Sequence, residues 1–401
     1  MRLADFLAAK PLFYQRINYE RMPAMWEILK QKLPNFEVIQ LIGTNGKGST
    51  GRFLAQLLKG TGAKVGHYTS PHIFKFNERF WRDGAVLSDD ELELAHIRLK
   101  ELIGEDLAKE ASYFEYATML SAVLFSSVDY FVCEAGMGGE LDATSCFSRR
   151  LSLFTPMGLD HISTLGGSLQ EIAMTKFNAI SANALANDTM DIEALKIGHE
   201  IAAHKGSSLK LASQTLKDSE LEAINLYSIR HDLPDFLKSN LTLAVAGFKA
   251  LKPEVDIVKS LHDLGALELG GRAQMISQNL CVDVGHNELG AQALIKKFKD
   301  KKIRLIYNSF ADKDYAAILK IFAPFLKDVR VYEYNSKGRE LVGFLRIKSE
   351  CDMAKIGCEK FSKIDMQSIK NGLKSDDFTL VFGSFHLVEA FLNEFYSSKD
   401  L

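Results

Sequence analysis

Apolar residues gather in short runs along the chain, at residues 38–42, 130–133, 151–154, 280–282, 303–307, 329–332 and 378–382, each about the length of a buried strand. Between them the period changes to that of a helix. Phe53, Leu54, Leu57 and Leu58 share one helical face that Gly60 and Gly62 bring to a stop. Ser88 followed three residues on by Glu91 makes a capping box and predicts a helix through about Leu102, and Ser168 with Glu171 starts another. Strands apolar on both faces, alternating with helices, predict an α/β chain built on mostly parallel sheets. The stretch 183–214 is polar and weakly periodic and predicts no definite element.

Length adds a domain count. At 401 residues the chain exceeds one ordinary core, and roughly 100–200 residues per domain points to at least two. The glycines of GALELGGR (Gly265, Gly270, Gly271) fall between a helical stretch and a new strand, so a boundary is expected near Glu268, with domains 1–267 and 268–401.

Composition then removes whole classes of function. A chain 47% hydrophobic and 25% charged is ordinary globular material, and no apolar run is long enough to span a bilayer, so no membrane partner is expected. With a net charge of −2 there is no basic field to drive nucleic-acid binding, so an anionic ligand must be held by a local site. The five cysteines, Cys133, Cys146, Cys281, Cys351 and Cys358, form no C-x-x-C pair, and the opening MRLADFLAAK does not read as a signal peptide. Both fit reduced thiols in a cytoplasm.

The strongest chemical signal follows the first apolar run, Gly43-Thr44-Asn45-Gly46-Lys47-Gly48-Ser49-Thr50, leading into the Phe53–Leu58 helical face. It reads strand, glycine loop, helix. Such a loop lets backbone N–H groups and a helix N-terminus close on a polyphosphate, with Lys47 reaching the terminal phosphates and Ser49 or Thr50 offering a hydroxyl to magnesium. It departs twice from the pattern G-x-x-x-x-G-K-[ST], with Leu41 at the first glycine and Gly48 between lysine and hydroxyl, which makes a generic kinase or GTPase a poor match.

Ligands of parallel sheets sit beyond the carboxyl ends of strands, so polar residues there are informative. Glu134 closes the run 130–133 and is placed like a magnesium-binding acid, ahead of the glycine-rich AGMGGELDATS that contains Asp142. Asp160 and His161 follow the run 151–154, and Lys176 lies on the helix that Ser168 caps. Ser70, in Thr69-Ser70-Pro71-His72, follows a short strand over 64–68 and could reach the metal.

In order along the chain, GTNGKGST, TSPH, NERF, EAGMGGELDAT, GLDH, the pair Gly271–Arg272, DVGHN, ADKD and FGSFH resemble the folylpolyglutamate synthase/dihydrofolate synthase family, a branch of the Mur ligase superfamily. The resemblance covers nearly the whole chain. It implies a P-loop nucleotide-binding domain, a smaller Rossmann-like C-terminal domain, and an ATP-dependent acid–amino-acid ligase that joins L-glutamate to dihydropteroate or to the glutamate tail of a folate through an acyl phosphate. It further implies a phosphate cradle of Gly46, Lys47 and Ser49, magnesium on Ser70, Glu134 and His161, and substrate near Pro71, Asp142 and Thr144. Asn240, Arg272, Asp283 and His286 match positions that hold the nucleotide from across the cleft. Lys176 matches a lysine that is often carbamylated and binds a second magnesium. The chain departs from the family's H-Q-x-x-N with HDLPDFLKSN, keeping Asn240. A cytoplasmic monomer is the corresponding expectation. Three other readings stay open, a Mur-type ligase of cell-wall synthesis, a P-loop phosphotransferase or NTPase that forms no amide, and a catalytically silent nucleotide-binding module.

Overall fold

The computed structural model describes residues 1–10, 18–371 and 378–397. The chain divides into two compact units, residues 1–233 with 237–268, and residues 269–401 with 234–236.

The first unit is built on eight strands, β1 (Glu37–Ile42), β2 (Val65–Tyr68), β3 (Phe80–Arg82), β4 (Ala85–Val86), β5 (Tyr130–Glu134), β6 (Arg149–Phe154), β7 (Asn183–Ala186) and β8 (Ser208–Leu211), in the order β4-β3-β2-β5-β1-β6-β7-β8. Only the β3–β4 edge is antiparallel; β2, β5, β1, β6, β7 and β8 run parallel. Central β1 is buried from its second residue onward, which explains its unbroken apolar run. Its two faces differ. Ile39 and Leu41 pack with Phe53, Leu54, Leu57 and Leu58 of helix Lys47–Gly60, whereas Val38 belongs to the core on the opposite face with Tyr116, Leu120 and Phe131. Burying each such side chain is worth roughly 1.5–3 kcal/mol, so the helix that follows the phosphate loop is firmly seated on the sheet.

Both capping boxes form. Glu91 N donates to Ser88 Oγ (3.3 Å) and Ser88 N to Glu91 Oε2 (2.9 Å), opening helix Asp89–Ile103; the Ser168–Glu171 pair (3.2 and 3.1 Å) opens helix Leu169–Phe177. The stretch 183–214, which predicts no element, contains β7, helix Ile192–Lys205 and β8. That helix buries Ala194, Gly198 and Ala202, a stripe of small residues, and a Cβ on Gly198 would meet Phe177 at 2.7 Å. Close approach rather than bulky apolar side chains seats it, so its periodicity in hydropathy is faint.

The second unit has six strands, β9 (Gln274–Ser277), β10 (Leu280–Asp283), β11 (Ile303–Tyr307), β12 (Leu326–Val331), β13 (Gly357–Lys360) and β14 (Phe378–Phe382), in the order β13-β12-β11-β14-β10-β9. All are parallel except the β9 edge. Insertion of β14 between β10 and β11 makes a switch point of the doubly wound kind. Among the described residues no helix is long and apolar enough to cross a membrane.

Candidate active site

Parallel register brings four strand ends to one edge of the first sheet. Leu41 pairs with Glu134, Ile42 with Phe154 and Tyr68 with Cys133, so Gly43, Glu134, Thr155 and Thr69 emerge side by side. Two glycines are demanded by the geometry of the loop that follows β1. A Cβ on Gly43 would lie 2.0 Å from Thr155 Oγ1, and Gly46 has φ +91° with Asn240 Oδ1 only 2.6 Å from where its Cβ would stand.

The loop is docked as well as folded. Thr44 N and Asn45 N donate to Pro156 O (3.0 and 3.3 Å), and Thr44 Oγ1 exchanges hydrogen bonds with Gly158 O and Gly158 N, both at 3.1 Å. The backbone N–H groups of Thr44 and Asn45, expected in the cradle, therefore fasten the loop to the segment after β6. Helix Lys47–Gly60 begins immediately afterwards, and its first intrahelical bond runs from Thr50 N to Gly46 O (2.9 Å). The N–H groups of Lys47, Gly48 and Ser49 consequently stand at the helix N-terminus, where a phosphate is best received.

Lys47 Nζ donates to the carbonyls of Gly43 (3.3 Å) and Thr44 (3.2 Å) and lies 3.8 Å from Glu134 Oε1. Glu134 is buried and accepts from the Thr69 hydroxyl and from Ser70 N (3.2 Å). Thr69 escaped the sequence reading as a site residue; register opposite Glu134 is what reveals it. Lys176 Nζ, also buried, donates to Gly43 O (2.9 Å) and Gly138 O (3.5 Å). Burial and, secondly, the charge of Lys47 lower its pKa from 10.5 to about 7.

One expectation needs correction. Asn240, expected on the far side of a cleft, belongs to the same unit as the phosphate loop; its Nδ2 donates to Ser49 Oγ at 2.9 Å. That bond, with the donation of Ser49 Oγ to Gly46 O (3.1 Å), leaves the Ser49 oxygen one free lone pair, while buried Thr50 Oγ1 has no hydrogen-bond partner among the described residues.

His161 takes the left-handed conformation (φ +50°) at the start of a short helix, with N donating to Asp160 Oδ1 (2.8 Å) and a side chain about half exposed. Among the described residues no group of three or more His, Cys, Asp or Glu side chains is spaced to hold a metal. A carboxylate supplemented by hydroxyls and an imidazole still suits magnesium, a hard cation that keeps waters and takes phosphate oxygens.

Asp142 lies in the glycine-rich loop after β5. Its Oδ1 accepts from Thr144 N (2.9 Å) and Thr144 Oγ1 (2.6 Å), and its Oδ2 from Met137 N (2.8 Å). Burial raises its pKa, against the pull of these donors. Pro71 follows Ser70 through a cis peptide bond.

In the second unit Asp283 Oδ2 accepts from Ala273 N and its Oδ1 from Gly285 N, both at 2.7 Å. The carboxylate clamps the turn that presents Arg272, whose guanidinium lies 5.0 Å from the Phe385 ring centre. His286 Nδ1 bonds Val284 O at 3.1 Å.

Two α/β units, the first with a phosphate loop whose lysine faces a strand-end carboxylate beside a second, buried lysine, define the P-loop ligase class. A dihydrofolate synthase/folylpolyglutamate synthase of Buchnera aphidicola (subsp. Schizaphis graminum) is 30% identical over 386 residues, covering 89% of this chain and 87% of the relative. The chain belongs to the dihydrofolate synthase/folylpolyglutamate synthase family, and it is an ATP-dependent ligase that adds glutamate in folate metabolism. The crystal structure of Helicobacter pylori folylpolyglutamate synthetase, 33% identical, matches 99% of this chain and 98% of its own with a TM-score of 0.78. The structure of Escherichia coli FolC in complex with DHPP and ADP, 24% identical, matches 98% and 97% with a TM-score of 0.82, a likeness of fold. No protein-family model matches the chain.

Proposed function

We propose that the chain joins L-glutamate both to dihydropteroate and to the glutamate tail of a reduced folate, with Lys47, Glu134 and Lys176 at the centre of the chemistry. One observation carries this reading: Lys47 lies 3.8 Å from Glu134, the last residue of the strand that leads into the loop bearing Asp142, while Lys176 Nζ donates to Gly43 O. E. coli FolC holds DHPP and ADP on the same fold, which supports a pterin acceptor and a nucleotide here.

In this scheme the acceptor carboxylate attacks the γ-phosphorus of ATP and ADP leaves, giving an acyl phosphate. The α-amino group of glutamate then attacks the acyl carbon, phosphate leaves, and an amide forms with release of one proton. Repulsion between carboxylate and phosphate opposes the first step. The Lys47 ammonium and the N–H groups of Lys47, Gly48 and Ser49 lower that barrier by neutralising phosphate charge from fixed positions. Ser70, Glu134 and His161, with the hydroxyl of Ser49 or Thr50, would hold magnesium, which when bound offsets phosphate charge and orients the phosphates. Thr69 and Ser70 N keep Glu134 aimed; Asp142 and Pro71 face the acceptor, and fully buried Thr144, its hydroxyl on Asp142, acts on the acceptor through that carboxylate. Arg272 and His286 are assigned to the nucleotide by family resemblance, and Asp283, which matches the same set, serves it through the turn that presents Arg272.

Lys176 is read as a carbamate. Its amine is close to neutral, so it can add carbon dioxide with loss of a proton, and the resulting anion would sit beside Lys47 and could hold a second magnesium. The five free thiols support a cytoplasmic setting, and a monomer is the assigned state.

The test is to supply the purified chain with ATP, magnesium and either dihydropteroate or tetrahydrofolate, with and without glutamate. Amide product with both acceptors, and ADP release that requires glutamate, are expected. ADP release indifferent to glutamate would favour the phosphotransferase or NTPase reading, and product with one acceptor alone would remove the dual activity.

A further inference from the structure

Gln40 lies in the middle of β1, three residues before the phosphate loop, and is fully buried. A strand between two apolar cores would be satisfied by leucine there, and the amide carries a cost, since Oε1 has no hydrogen-bond partner among the described residues. Its Nε2 donates to Thr144 Oγ1 (2.8 Å) and Ser145 Oγ (3.0 Å).

The direction of those bonds is fixed by proton counting. Each hydroxyl has a single proton. Thr144 places its proton on Asp142 Oδ1 (2.6 Å) and Ser145 places its own on Gly139 O (2.6 Å), a carbonyl that can only accept. Both hydroxyls must therefore accept from position 40, which fixes the amide with Nε2 toward them and uses both of its N–H protons. The result is a one-way relay from Gln40 through Thr144 to Asp142, with a parallel arm through Ser145 to the glycine turn at Gly139. It joins the strand that ends in the phosphate loop to the loop that carries Asp142.

We propose that Gln40 is a positioning residue for the acceptor: its paired amide donors fix the loop 137–145 so that Asp142 faces the pterin-bearing substrate. The inference rests on the reading of Asp142 as an acceptor residue, and the experiment separates the two. Steady-state kinetics of the full chain would be measured for Gln40→Leu, Thr144→Val, the double variant and Asp142→Asn, with dihydropteroate and with tetrahydrofolate. Thr144→Val conserves volume and interrupts the relay from its other end if Gln40→Leu fails to fold.

Gln40→Leu should raise the acceptor KM about tenfold, the value of one buried hydrogen bond, and leave the ATP KM within about twofold. A loss of general order would raise both. Because Gln40 acts through Thr144, the double variant should be no worse than about the larger single effect. An unchanged acceptor KM in Gln40→Leu, or effects that multiply in the double variant, would overturn the relay while an impaired Asp142→Asn left the substrate reading standing. An unchanged acceptor KM in Asp142→Asn would overturn both.

Discussion

Glu134 and Asp283 occupy matching places, each the last residue of a buried parallel strand next to a switch in strand order, yet their partners are of opposite kinds. Glu134 meets the Thr69 hydroxyl, the Ser70 N–H and, at 3.8 Å, the Lys47 ammonium of the phosphate loop. Asp283 has an oxygen on each of two backbone N–H groups, those of Ala273 and Gly285, at 2.7 Å. A carboxylate held largely by side chains can exchange those partners for a ligand. Asp283, with one oxygen on Ala273 N and the other on Gly285 N, ties the residue after Arg272 to the end of its own strand and so holds that turn. On the proposed reading Glu134 acts in the chemistry, while Asp283 braces the turn that presents Arg272.

The contrast can be tested in order of expected effect. Lys47→Ala removes the cation opposite Glu134 and should lower kcat/KM by about 10³-fold, the scale of losing a preorganised charge at a phosphoryl transfer, with the melting temperature nearly unchanged. Glu134→Gln should cost about 10²-fold in kcat, again without unfolding. If thermal melting showed Glu134→Gln to be mainly a stability defect, the two acids would be alike and the distinction would fail.

Next in size is the pH response of Lys176. Its folded pKa near 7 lies below its ordinary 10.5, so the neutral amine prevails above pH 7, and the full cost of charging a buried amine is present below it. Stability contributed by this group should therefore rise as pH climbs from about 7 toward 10. Enzyme stripped of carbon dioxide and then given bicarbonate should regain activity at pH 8, where about nine tenths of the amine is neutral, and little at pH 6. Equal recovery at both pH values would contradict carbamylation of this amine. The smallest effect on turnover is expected from Asp283→Asn, which sets an amide against two N–H donors. It should destabilise the second unit by about 1–3 kcal/mol in denaturant melts, while turnover of the folded fraction falls less than tenfold.

Local chemistry made the first unit's site legible. The phosphate loop, the strand end at Glu134 and the Ser88–Glu91 and Ser168–Glu171 caps are all encoded within a few residues. What stayed hidden depends on distant partners. Asn240 meets Ser49 across 191 positions, and Thr44 and Asn45 meet Pro156 only because β1 and β6 lie in register. Gln40 read as part of an apolar run because its hydroxyl partners are about a hundred residues away. Helix Ile192–Lys205 was obscured by its own chemistry, a seam of alanine and glycine in place of large apolar side chains.

Activation of the acceptor carboxylate as an acyl phosphate is the central claim, and oxygen transfer tests it most directly. Acceptor labelled with heavy oxygen in its carboxylate should be turned over with ATP and glutamate, and the released phosphate analysed by mass spectrometry. One labelled oxygen in each phosphate is predicted, because the carboxylate oxygen bonded to phosphorus leaves with it when the amide forms. Unlabelled phosphate accompanying amide product would contradict the account.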